Sequence, residues 1–121
     1  SLEGVEHLVA LCENARDCKK SVLVITSPET RDELMSLISS HFLALRDPNI
    51  WHINISPDTR VYVCSSFVDL CGKSADVVVI FRPQPKTIMF VGPILNIQGV
   101  EPHMFLQIEE RRVGKECTIQ C

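Results

Sequence analysis

The side chains able to carry chemistry in this 121-residue sequence do not gather into a catalytic set. Six cysteines stand at Cys12, Cys18, Cys64, Cys71, Cys117 and Cys121, without the two short-spaced pairs that a structural zinc site needs. The histidines His7, His41, His52 and His103 share no ligand spacing either, so no metal site is expected. Cys64 and His52 would fall on neighbouring strands, but a thiol–imidazole nucleophile also needs a third, orienting group. A packed core thiol is the expectation, as are a half-buried His41 with one hydrogen bond and a Trp51 that anchors packing. Gly72-Lys73-Ser74 matches the end of a phosphate-binding loop, yet Phe67 occupies the place of its upstream glycine, and no G-x-G-x-x-G is present. Glu109-Glu110 lies beside Arg111-Arg112 at the spacing of helical ion pairs, not as a proton-transfer pair. What remains are hydroxyls, Ser27 with Thr30 at a helix start and Ser65 with Ser66 at the next loop, and the basic pairs Lys19-Lys20 and Arg111-Arg112. Ser27 reads first as a helix cap. No catalytic residue is assigned.

The elements that would position these groups follow from apolar spacing. Val5, Leu8, Val9 and Cys12 form one helical stripe through about Ala15. Residues 21–25 hold, after Ser21, an unbroken aliphatic run, too short for a helix and rich in β-branched residues, as in a strand covered on both faces. Ser27-Pro28-Glu29 opens a second helix, with Leu34, Leu37, Ile38, His41, Phe42 and Leu45 on its inner face until Asp47-Pro48-Asn49 stops it. Strands are expected over 50–55 and 60–64 with a turn at Ser56-Pro57-Asp58, then one helical turn and a loop over 65–72. The run 76–81 is the clearest strand, ended by Pro83 and Pro85, and 86–91 reads as a further strand. Met104, Phe105 and Ile108 mark a last helix, and 117–121 a closing strand.

Strands apolar on both faces, alternating with helices, predict an α/β fold: a three-layer Rossmann-like sandwich with a mostly parallel central sheet. The length allows one domain over residues 1–121, expected to be excised from a larger protein. A charge of −3 argues against a domain held to nucleic acid by bulk positive charge. No apolar run approaches the ~20 residues that span a bilayer, so no membrane partner is expected. A core of this size needs no disulfide staples, which predicts a reduced chain in the cytoplasm, or in the nucleus.

Three segments carry a family resemblance. Residues 19–27 (KKSVLVITS), leading to a helix with Glu33 and Leu34, resemble the strand that opens the second RecA-like lobe of DEAD-box-type superfamily 2 RNA helicases. Residues 60–72 (RVYVCSSFVDLCG) are similar to that family's R-V-L-V-A-T-D-x-x-x-R-G, and 75–83 (ADVVVIFRP) to its V-D-x-V-I-N-Y-D-x-P. The tail 105–115 faintly resembles the arginine helix Y-x-H-R-x-G-R-x-G-R. The departures fall on functional positions. The Thr-Asp pair becomes Ser65-Ser66, the family arginine aligns near Leu70, and Gly72 matches only after a one-residue slip. In the tail only Arg111, Arg112 and Lys115 stand for the arginine finger, whose fixed guanidinium would neutralise charge on a transferred phosphoryl group.

The resemblance therefore implies a degenerate helicase-C-like lobe that does not hydrolyse ATP alone. It would act as a protein- or RNA-interaction module in an RNA-processing or RNA-silencing assembly. RNA would meet Ser27, Thr30, Ser65 and Ser66, and ATP would lie near Gly72, Arg111, Arg112 and Lys115. No cofactor is expected in isolation; ATP with Mg belongs only to a lobe joined to a first RecA lobe. The partner would be single-stranded RNA, another protein or the rest of the parent chain. Two rival readings stand beside it: a functional second lobe of an ATP-dependent helicase, and an unrelated Rossmann-like domain that homodimerises through an edge strand at 86–91.

Overall fold

A computed structural model describes residues 4–87, 89 and 102–105. The elements run α1 (Val5–Asp17), β1 (Val22–Ile25), α2 (Pro28–Phe42), β2 (His52–Ser56), β3 (Thr59–Cys64), α3 (Phe67–Leu70), β4 (Val77–Phe81) and β5 (Pro102–Phe105). They make a mixed α/β fold around a five-stranded sheet of order β2-β3-β1-β4-β5. β3, β1, β4 and β5 are parallel, and β2 is antiparallel to β3 at one edge. The aliphatic runs of β1 and β4 lie side by side, Val22 opposite Val77 and Ile25 opposite Ile80, and every residue of both is buried. Continuous burial is what a central parallel strand imposes, which is why neither run alternates.

Both long helices cover one face of the sheet. Leu8, Leu11, Cys12 and Ala15 of α1, with Leu34, Met35 and Ile38 of α2, pack on Val22, Val24, Val61, Val63, Val77 and Val79. The opposite face gathers Leu23, Ile25, Cys64, Val78 and Ile80 under Leu70 of α3. At their amino ends β1 and β4 are joined by a reciprocal clamp. Ser21 N and Oγ donate to Asp76 Oδ2 at 2.9 and 3.2 Å, and Asp76 N donates back to Ser21 Oγ at 3.1 Å.

Several expectations need correction. Residues 85–87 and 89 are helical, so no edge strand begins at Lys86, and dimerisation through it loses its basis. Pro85, with its fixed φ and no N–H, favours a first helical turn. Met104 and Phe105 lie in β5, not in a helix; pairing with β4 overrides a spacing that fitted either state. α2 stops at Phe42, because Leu43 turns left-handed (φ 51°) and leaves Leu45 in solvent. Cys18 is disulfide-bonded, against the expectation of fully reduced thiols, whereas Cys12, Cys64 and Cys71 are free. Spacing along the chain does not report which cysteines meet in space. The closing strand at 117–121 lies outside the described residues. Among the described residues no helix is long and apolar enough to cross a membrane.

Candidate functional site

The carboxyl ends of β1, β3 and β4 emerge side by side because the three strands share one parallel register. Thr26 N donates to Cys64 O at 2.8 Å, extending the pairing one residue beyond β1. A crevice of about 370 Å3 opens here, lined by Pro28, the segment 65–68, Gln84, Lys86 and Thr87. The chain leaves β1 toward β3 on one side and returns to β4 on the other, so the crevice stands where the strand order reverses. Open α/β sheets bind ligands at such points.

Ser65 is buried in the wall, its N–H donating to Asp69 Oδ2 at 3.1 Å. Ser66 starts α3 as its cap, its Oγ accepting from Asp69 N at 3.2 Å. Phe67 and Val68 follow, 47% and 79% exposed, which leaves an aromatic ring at the rim. Ser27 holds the cap position of α2, but its Oγ pairs with Thr30 Oγ1 at 3.0 Å instead of taking a backbone N–H. Thr30 Oγ1 also donates to Ser27 O at 3.1 Å and pairs with Thr26 Oγ1. These three hydroxyls hold one another at the start of α2.

Arg31, Asp69 and Trp51 were not singled out as a site from the sequence, yet they organise the wall. Arg31 Nε donates to Val63 O at 2.9 Å, its Nη1 meets Asp69 Oδ2 at 3.1 Å, and its guanidinium lies 4.0 Å from the Trp51 ring centre. Burial pulls the Arg31 pKa below its ordinary value, opposed chiefly by Asp69. Asp69 thus ties α3 and Ser65 to α2. A lone Arg on a helix gives no sequence signal of this kind, since its partners lie 32 and 38 positions away by number.

The two buried thiols, Cys12 and Cys64, are held in their unreactive protonated form. Burial pushes Cys64 up to about 11 and Cys12 to about 12. Cys64 Sγ donates to Asp69 O at 3.6 Å, in keeping with a packed core thiol. Burial lowers the pKa of His52, and Arg60 and Lys73 push it the same way. His41 is half-exposed and meets Glu13 Oε2 at 3.3 Å. No group of three metal-ligating side chains occurs among the described residues.

Of the expected RNA-binding residues, Ser65 and Ser66 line the crevice, while Ser27 and Thr30 are not part of its lining. Gly72 takes a left-handed turn (φ 76°) after α3 and is not part of the crevice lining. Arg111, Arg112 and Lys115 lie outside the described residues. No protein-family model, curated protein or solved structure matches the chain.

Proposed function

We propose that this chain is a RecA-type, helicase-C-like lobe that binds without catalysing: a module that takes single-stranded RNA within an RNA-processing or RNA-silencing assembly. The observation that supports it best is the make-up of the crevice at the strand reversal. Phe67 offers a ring for one base, Ser65, Ser66 and Gln84 offer hydrogen bonds, and Lys86 offers a charge for a phosphate. Catalysis is not supported by the same residues. The segment after β4, Arg82-Pro83-Gln84, carries no carboxylate to hold a magnesium ion, and no glycine loop cradles a triphosphate. In this reading ATP enters only with a first lobe, which would supply the phosphate grip.

Fluorescence anisotropy with a labelled oligouridylate tests the proposal. The chain binds, and affinity falls as salt rises. Phe67→Ala weakens binding roughly tenfold, within the range for loss of one base stack. Lys86→Ala flattens the log–log salt slope by about 0.7, as expected for one phosphate contact on a single strand. Absence of binding by the unaltered chain overturns the reading. RNA-stimulated ATP turnover on joining the chain to a P-loop-bearing lobe overturns its non-catalytic part.

A further inference from the structure

Three described residues other than glycine have a positive φ: Lys19 at 56°, Leu43 at 51° and Arg82 at 48°. Lys19 and Leu43 follow the last turns of α1 and α2, where a left-handed residue closes the helix. Arg82 closes no helix. It follows β4 directly and precedes Pro83, whose ring favours extended backbone at the residue before it. A bulky residue with positive φ is an outlier by itself, and the proline adds a second restriction. Strained residues of this kind gather at ligand sites.

The side chain's own contacts do not account for the strain. Arg82 is half-buried, and its Nε is buried without a hydrogen-bond partner. Its guanidinium carbon stands 5.7 Å from the Phe81 ring centre, near the outer limit of a cation–π contact, against 4.0 Å for Arg31 over Trp51. Every other described arginine has a hydrogen bond or ion pair: Arg16 with Asp17, Arg31 with Val63 and Asp69, Arg46 with Asp32, and Arg60 with Asn54. Among the described residues Arg82 has neither. The place is that of a ligand residue, because Arg82 stands at the carboxyl end of a central parallel strand, where open α/β sheets bind. Gln84 lines the crevice only two residues on, and two residues of chain span at most about 7 Å.

We infer that Arg82 is a phosphate-binding residue, held in a strained backbone so that its guanidinium meets the RNA backbone next to the nucleotide in the crevice. The inference rests on the proposed RNA binding and adds to it a residue outside the crevice lining. A planar fork of N–H donors matches phosphate oxygens. A glycine would hold the same turn without strain, so what the arginine contributes at this position is its guanidinium.

Arg82→Gly separates a ligand residue from a packing residue, since it relieves the backbone while removing the charge. Its Tm rises by about 2–5 °C. Its affinity for labelled tetrauridylate falls roughly tenfold, and the log–log salt slope flattens by about 0.7. Arg82→Gln, which keeps the stem, loses the same affinity, and Arg82→Lys keeps the slope. If Arg82→Gly and Arg82→Gln bind as the unaltered chain does, while Phe67→Ala still weakens binding, Arg82 is no ligand residue and the crevice stands. If the unaltered chain binds no uridylate, both fall. A lower Tm for Arg82→Gly overturns the inference as well, by showing that the arginine is there for packing. A labelled nucleoside triphosphate distinguishes the source of the phosphate: if Arg82→Gln abolishes its binding and leaves tetrauridylate binding unchanged, Arg82 serves a nucleotide and the assignment to the RNA backbone is wrong.

Discussion

Arg31 is the residue on which the wall of the candidate site turns. Its side chain is 13% exposed and is held by a backbone carbonyl, a carboxylate and an indole face at once. Three partners in three directions fix a planar guanidinium in a way that a point charge cannot reproduce. Arg31→Ala leaves the Val63 carbonyl and the partly buried Asp69 carboxylate without this partner. The expected loss of stability is about 2–3 kcal/mol, below the full cost for a buried pair because Asp69 still sees water. Arg31→Lys recovers less than half of it. In urea unfolding the double variant Arg31→Ala/Asp69→Ala is less destabilised than the sum of the two single changes, since each removes the other's partner. A loss under about 0.5 kcal/mol for Arg31→Ala would mean that the network is decorative.

At the scale of elements, the ends of helices are as informative as their faces. α2 closes with Ala44 N donating to Ser39 O at 3.0 Å and Leu43 N to Ser40 O at 3.3 Å, around a left-handed Leu43 that is 93% exposed. α1 ends the same way at Lys19, with Lys20 N on Ala15 O at 2.9 Å. Glycine normally takes this position, because a Cβ there costs roughly 1–2 kcal/mol. Leu43→Gly should therefore raise stability by about 0.5–1 kcal/mol, with a higher Tm, although it deletes an apolar side chain; a lower Tm would show that Leu43 packs against something. The same feature marks how far the sequence could be read. β1, β4 and the hairpin were legible because aliphatic runs and Pro57-Asp58 act locally, whereas the cap that starts α3 at Ser66 was not. The end of α2 was not, because Leu43 and Leu45 continue the apolar spacing while the backbone reverses. Lys86 and Met104 exchanged states for a similar reason: short apolar stretches fit either period, and the neighbouring strand or proline decides. The place of Ser65 and Ser66 at the crevice follows from their position directly after a strand, whereas Arg31, Asp69 and Tyr62 meet only through the fold.

At the scale of the whole molecule, the sheet separates two apolar layers, and among the described residues each layer contains one free, buried thiol. Cys12 sits in the layer under α1 and α2, and Cys64 in the layer beneath α3. Folding raises both from an ordinary value of 9.0, to about 12 and about 11 respectively, mainly by desolvation. In the unfolded chain both ionise near pH 9, while the folded chain keeps their protons. The unfolded state then binds fewer protons, so stability must fall as pH rises. It is complete below pH 9 and declines through pH 11 for Cys64 and pH 12 for Cys12. At about 1.4 kcal/mol per pH unit for each thiol, the decline reaches several kcal/mol, a large share of the roughly 5–15 kcal/mol that holds a domain together. Both layers are attacked together, and cooperative unfolding in that range follows. Cys12→Ala/Cys64→Ala should be less stable than the unaltered chain at neutral pH, by about 2 kcal/mol for the lost packing. Yet its stability should fall less steeply between pH 9 and pH 11, and the two curves should converge. Parallel curves from urea unfolding at each pH would mean that the thiols are hydrated in the folded state, and that the two layers are less closed than their burial indicates.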